Sequence, residues 1–230
     1  MRPALAVIFD FDGVIADSES LANRALAESL SASGFPTTFD DCLREYCGHN
    51  WLETQRRIEA RHRRALPAEF RDAHRTRSRQ RFERELTAVP GAAEFLERLA
   101  VPSRAIASSS GEDYIRWALD RLELAHHFGR HVYSAEGMTR GKPHPDIYLL
   151  AARGLGVEPG RCLAIEDSAV GARAAVAAGM KVVGLAAAEH IADPHSHAEA
   201  LRAAGVRSVA FSFEDVTEML GQPNEFVATE

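Results

Sequence analysis

Six short apolar runs, separated by longer segments, constrain the fold of this chain more than any other feature. They read ALAVIF (4–9), SRAIAS (103–108), HVYSA (131–135), RCLAIE (161–166), KVVGLA (181–186) and SVAF (208–211). A continuous apolar run, rather than an alternating one, is what a strand buried on both faces of a parallel sheet presents. Between the later runs lie EDYIRWALDRLE, PDIYLLAARGLG, AVGARAAVAAG and HAEALRAAG. The last two close at Gly179 and Gly205, the residue type that ends helices in a left-handed conformation. Strand and helix alternate, so the expected class is α/β, a doubly wound parallel sheet.

Residues 19–88 break this rhythm. SLANRALAESLSASG puts Leu21, Ala25, Leu26 and Leu30 near one helical face and stops at Gly34. Further helical patterns follow at roughly 39–46, 50–64 and 67–86, with almost no strand-like run, and Pro90-Gly91 marks the return. The expected organisation is a sheet domain from residues 1–18 and 89–230, interrupted by an all-helical domain at 19–88. From Arg56 to Arg84 the insert carries eleven arginines against Glu59, Glu69, Asp72 and Glu83, although the whole chain has a net charge of -6. Solvated helix faces with i,i+4 pairs are the default reading, and a positive field that draws in an anionic substrate is the alternative. Aromatic residues within that stretch are limited to Phe70 and Phe82, so nucleic acid is not the expected partner.

Composition excludes other classes. With 46% hydrophobic and 26% charged residues the chain is ordinary globular material rather than disordered. No apolar run approaches 18 residues, and Met1-Arg2-Pro3 leads into a strand without a signal-peptide core, so no membrane association or processing is expected. Cys42, Cys47 and Cys162 form no C-x-x-C pair, which points to a reduced, cytoplasmic setting. Surface or core roles are expected for His126, His127 and His131, which lack a metal spacing with an acidic partner, and solvation for His195 and His197. Gly154, Gly156 and Gly160 do not make a dinucleotide loop, because they lie between a helix and a strand rather than after one.

Ligands in open α/β sheets bind beyond the carboxyl ends of the strands, and four such ends carry chemistry here. The first ends at Asp10-Phe11-Asp12-Gly13, and the second at Ser108-Ser109-Ser110-Gly111, whose hydroxyls and N–H groups can bind phosphate oxygens ahead of a helix. Gly141-Lys142-Pro143-His144-Pro145-Asp146 follows the third, and the fourth ends at Glu166-Asp167-Ser168. Asp10 can attack phosphorus and form an aspartyl-phosphate; Asp12, two residues on, can protonate the leaving oxygen and then deprotonate water. Strand alternation would put both on one side. Asp10, Asp12, Glu166 and Asp167 together call for a hard cation, and Mg²⁺ needs only one or two carboxylates plus a backbone carbonyl.

In this order, D10-F-D-G, S108, K142-P-x-P-D and E166-D-S-x-x-G resemble the four motifs of the haloacid dehalogenase superfamily, in the group of β-phosphoglucomutase and sugar-phosphate phosphatases. The resemblance covers nearly the whole chain and implies a Rossmann-like core with a helical cap. It implies Mg²⁺ on Asp10, the carbonyl of Asp12, and Asp167, with Glu166 in or near that set. It further implies Ser108 on a phosphoryl oxygen and Lys142 neutralising the group in transfer. In the cap loop CGHNWLE, Gly48 is hinge-like, and His49, Asn50 and Trp51 are candidate leaving-group contacts, as Ser109 and Ser110 are for the phosphate.

Within the superfamily, dehalogenases lack the second aspartate, and phosphonatases use a cap lysine, whereas no lysine precedes Lys142. The mutase carries a histidine soon after the first motif and an arginine in the cap loop, where this chain has Ala22 and Trp51. The expected activity is therefore a Mg²⁺-dependent phosphatase of a small phosphorylated sugar, polyol or sugar acid, acting as a monomer or weak homodimer. The alternatives are a β-phosphoglucomutase-type mutase and a non-catalytic binder of phosphorylated ligands.

Overall fold

A computed structural model describes residues 6–47, 51–101 and 103–221. The chain forms two compact units, Met1–Asp17 with Thr87–Glu230, and Ser18–Leu86. No helix of the described residues is long and apolar enough to cross a membrane.

The second unit is built of α1 (Glu19–Ala32), α2 (Phe39–Glu45), α3 (Trp51–His62) and α4 (Phe70–Glu85). Leu26, Leu30, Phe35, Cys42, Ile58 and Phe70 form its core. Thr38 starts α2 with a reciprocal cap: its hydroxyl accepts from Asp41 N at 3.1 Å while Asp41 Oδ2 accepts from Thr38 N at 3.0 Å. Of α4 only Phe70 is buried, so its arginines lie along the surface. Arg79 pairs with Glu83 (3.3 Å) and Arg81 with Glu85 (3.5 Å) at i,i+4, as Arg57 does with Glu53 (2.9 Å) on α3, and Arg81 also reaches Glu28 of α1 (2.6 Å).

In the first unit, β1 (Ala6–Phe9), β2 (Ser103–Ser108), β3 (Val132–Ser134), β4 (Cys162–Glu166), β5 (Lys181–Leu185) and β6 (Ser208–Ala210) form one sheet in the order β3-β2-β1-β4-β5-β6. Every pairing is parallel, and Ala6 faces both Ser103 and Cys162. β1 and β4 are buried at every residue, which is why their sequences show no polar alternation. Helices α5 (Ala92–Arg98), α6 (Glu112–Arg121), α7 (Asp146–Leu155), α8 (Ala169–Ala177), α9 (Pro194–Ala203) and α10 (Phe213–Gly221) complete the unit. Ile8, Ala105 and Ala164 pack with Ile147, Tyr148, Ala172 and Leu201, and Phe9 meets Phe95 and Phe128 edge-on at 6.2 and 5.7 Å.

The strand order reverses between β1 and β4, so the carboxyl ends of those two strands form the topological switch point at which ligands bind in open α/β sheets. Asp10 follows β1, Glu166 ends β4 and Asp167 follows it.

Candidate active site

The strand itself stops at Phe9, one residue short of Asp10. Period-two alternation therefore does not set the directions of Asp10 and Asp12; a turn does. Asp10 N still donates to Ile165 O at 2.9 Å, after which Phe11 O accepts from Ile15 N (2.8 Å) and Ala16 N (3.0 Å) and Gly13 N donates to Ala16 O (2.8 Å). Gly13 has φ +79°, and a Cβ there would lie 2.0 Å from Asp167 Oδ2. Both the left-handed turn and the close approach of Asp167 thus require glycine.

Asp10 and Glu166 meet on Lys142. Lys142 Nζ lies 2.9 Å from Asp10 Oδ1 and 2.6 Å from Glu166 Oε1, with the lysine side chain 5% exposed and that of Glu166 wholly buried. Tyr148 OH, on α7, donates to the same Glu166 oxygen at 3.0 Å, and its ring centroid lies 5.2 Å from Nζ. Glu166 Oε2 accepts from Ser168 N (2.8 Å) and Ser168 Oγ (3.0 Å). Glu166 is thereby held below the usual carboxylate range: burial pushes it up, but the Lys142 charge and these donors outweigh burial. Asp10 goes the other way, held well above its usual range by burial and then by the Glu166 charge, with Lys142 offsetting only part. Burial pulls Lys142 down, yet Asp10 and Glu166 together hold it above the usual lysine range.

Glu166 can lie so close to α8 because residue 171 has no side chain; a Cβ on Gly171 would fall 1.5 Å from Glu166 Oε1. Gly171→Ala is expected to displace the buried carboxylate and destabilise the protein by about 1–3 kcal/mol. In urea denaturation Gly160→Ala, whose added Cβ would meet nothing nearer than 3.9 Å, serves as the neutral control. Equal midpoints for the two variants would contradict this packing.

Asp12 does not join the lysine. Its carboxylate accepts from Ser110 Oγ at 2.6 Å and from Tyr114 OH at 3.3 Å. Ser108 is buried at the end of β2, where its hydroxyl oxygen accepts from Ser110 N at 3.0 Å; Ser109 is exposed. Ser110, expected to contact phosphate, thus also holds Asp12.

Asp10, Glu166 and Asp167 each offer an oxygen within 4.8 Å of the others. Three carboxylates against one ammonium leave an excess of negative charge on hard oxygen donors, which fits a hard divalent cation. Within that set Glu166 already accepts four hydrogen bonds, so Asp10 and Asp167 are the carboxylates better suited to a metal. Two histidines flank Asp167. His190 Nε2 lies 3.7 Å from Asp167 Oδ2, beyond hydrogen-bond reach, and burial, then His197, pushes His190 down to about 4, so it is neutral at neutral pH. His197 Nε2 donates to the main-chain oxygen of Asp167.

That last contact corrects one expectation: His195 is exposed, but His197 is half-buried and hydrogen-bonded rather than solvated. A second correction concerns His126 and His127, which do have an acidic partner, Glu97, at 3.4 and 3.3 Å. With Glu97 their ligand atoms lie within 4.8 Å of one another, but the hydrogen bond to Arg104 leaves the His127 proton on the nitrogen a metal would need. Arg104, which can only donate, lies 3.0 Å from His127 Nδ1, so Nδ1 accepts and neutral His127 carries its proton on Nε2, the nitrogen facing Glu97.

Trp51 stacks on Phe70 and His74 (centroids 6.1 and 5.9 Å apart) and lines a pocket of about 440 Å³ with Gln55, Pro67 and Arg71, all within the helical unit. Gly48, His49 and Asn50 lie outside the described residues. Tyr114, Tyr148, His190 and His197 were not legible as site residues. Only Tyr148 left a trace, as the one hydroxyl on an otherwise aliphatic helix face six residues after Lys142.

Residues 5–179 match the family model of the haloacid dehalogenase-like hydrolases. Over 192 residues, 83% of this chain and 84% of the relative, the sequence is 27% identical to the 6-phosphogluconate phosphatase of Escherichia coli (strain K12). It is 30% identical over 222 residues, 94% of each chain, to hexitol phosphatase A of the same organism. The fold superposes on a hydrolase of this family from Deinococcus radiodurans R1, solved with bound phosphate and sodium, at a TM-score of 0.81 and 31% identity, covering 96% of both chains.

Proposed function

Because the chain belongs to the haloacid dehalogenase-like hydrolases, we propose that it is a Mg²⁺-dependent phosphatase of a small phosphorylated sugar, polyol or sugar acid, working through a phosphoaspartate on Asp10. The observation that carries this reading is the junction of Asp10, Lys142 and Glu166 at the switch point of the sheet, with Asp167 beside it. The substrate class is taken from relatives named for 6-phosphogluconate and for hexitol, and the Deinococcus radiodurans relative was solved with phosphate bound.

Asp10 is the nucleophile: its oxygen attacks phosphorus, and the leaving alkoxide takes a proton from Asp12. Asp12 then removes a proton from the water that hydrolyses the phosphoaspartate. For that work the Asp12 carboxyl leaves Ser110 Oγ and Tyr114 OH, a local side-chain rearrangement. Ser108 and the N–H groups ahead of α6 receive phosphoryl oxygens, and Lys142 stabilises the charge that develops on the group in transfer. Glu166 acts on Lys142 rather than on the substrate, fixing the ammonium through one oxygen while Ser168 holds the other. Asp10 and Asp167, with the main-chain carbonyl of Asp12, would hold Mg²⁺, which when bound neutralises carboxylate and phosphate charge.

The test is release of inorganic phosphate from p-nitrophenyl phosphate, 6-phosphogluconate, hexitol phosphates and glucose 1-phosphate, with Mg²⁺ and with EDTA. Phosphate release that EDTA abolishes is the expected result. Conversion of β-glucose 1-phosphate to glucose 6-phosphate without free phosphate would overturn it in favour of a mutase, and no turnover across the panel in favour of a binding protein.

A further inference from the structure

Asp167 sits where β4 gives way to α8, and its carbonyl belongs to neither ladder. Glu166 is the last residue paired in the sheet, and Ser168 is the helix cap, its hydroxyl accepting from Gly171 N. A buried carbonyl at such a junction needs a donor. His197 supplies it from α9, through Nε2, across 30 positions of sequence. The start of α9 fixes that imidazole: Pro194 opens the helix, Asp193 Oδ1 accepts from His195 N and Ser196 N at 3.1 and 3.2 Å, and His197 N donates to Asp193 O at 3.0 Å. On the side-chain end, Asp167 Oδ2 is confined between the bare Cα of Gly13 and His190.

We propose that His197 is a positioning residue for the cation site: by donating to the main-chain oxygen of Asp167 it fixes the direction in which that carboxylate is presented, with His190 closing the far side. This rests on the reading that Asp167 holds a divalent cation. A carbonyl is a poor place to look for such a support, because the bond reaches the ligand through its backbone rather than its carboxylate. Yet the β4–α8 junction has a single residue between ladder and cap, so rotation of the Asp167 peptide would carry the side chain with it. Groups that orient a ligand from outside the metal's own shell typically contribute 10–100-fold to metal affinity.

The test is Mn²⁺ binding to the full chain, read from the electron paramagnetic resonance signal of free Mn²⁺, without substrate or turnover. His197→Leu, which cannot donate, is expected to weaken binding about 10–100-fold. His197→Gln, whose amide nitrogen reaches the place of Nε2, is expected to stay within about threefold of the unaltered protein. Circular dichroism checks that both fold. Should the leucine variant not fold, ¹⁵N NMR of the unaltered protein decides: His197 in the Nε2–H tautomer, with a ring signal that moves on Mg²⁺ addition, supports the proposal. An Nδ1–H tautomer or an unmoved signal sinks it. Asp167→Asn separates the two levels of inference. If the protein binds Mn²⁺, Asp167→Asn loses it and His197→Leu does not, the positioning role is wrong and the cation site stands. If the unaltered protein binds no Mn²⁺, both fall.

Discussion

Asp10→Asn is expected to lower phosphate release by at least about 10⁴-fold, the scale of loss when a covalent nucleophile is removed, while leaving the fold at least as stable. The two halves of this expectation have different causes. Asparagine has the shape of the aspartate and can still accept from Phe11 N, which donates to Asp10 Oδ1 at 2.8 Å, but it has no anion with which to attack phosphorus. The stability half follows from the sign of the shift at Asp10, whose carboxyl is held well above its usual range by burial and by Glu166. A carboxyl raised in the folded state costs nothing below its unfolded value, about 3.9, and costs progressively more as pH climbs towards the folded value. Asparagine never incurs that cost. In EDTA, thermal melts should therefore coincide near pH 4, with the variant equal or higher at pH 7. Turnover above about one per cent of the unaltered rate, or a variant melting well below the original at pH 7, would remove Asp10 from the role of a strained, buried nucleophile.

The sheet was legible because its central strands β1 and β4 are covered on both faces, and a chain has few ways to write that other than an unbroken apolar run. Val7, Ile8 and Phe9 are all fully buried, and the run they form ends within a residue of the chemistry. The strand ends were legible too, since a crevice at a switch point collects whatever polar residues terminate the central strands. Two short helices, α5 (seven residues) and α10 (nine residues), were not expected at all, although Phe213, Val216 and Leu220 recur at helical spacing in α10. Contacts that depend on helix register were also hidden. Tyr148 reaches Glu166 only because α7 packs on β1 and β2, and His197 reaches Asp167 only because Asp193 and Pro194 fix where α9 begins. Glu166 illustrates a different limit. In the sequence it is one more acid beside Asp167, and only its donors from Lys142, Tyr148 and Ser168 separate a carboxylate that holds a lysine from one free for a metal.

Lys142→Met tests that separation. The substitution keeps the length of the side chain and removes the ammonium that lies 2.9 Å from Asp10 and 2.6 Å from Glu166, where solvent cannot substitute for it. Breaking a buried ion pair by deleting one partner costs about 3–5 kcal/mol, because the remaining charge is left uncompensated. For a chain of this length that corresponds to a fall in Tm of roughly 10 °C. The pH dependence gives the cause away. In the unaltered protein Lys142 and Ser168 hold Glu166 below its usual range, so its contribution is present above the unfolded value of about 4.3 and is lost as pH falls. Without the lysine, burial pushes Glu166 up instead. The sign then reverses, and the penalty grows as pH rises above about 4.3. The deficit of the variant against the original should therefore be smaller at pH 4.5 than at pH 8, measured by thermal denaturation in EDTA. Activity should also fall, by about 10²–10³-fold, as expected when a donor to the developing charge is lost. A variant that melts within 2 °C of the original at pH 8 would mean that Asp10 and Glu166 share a proton without help, and that Lys142 serves the substrate alone.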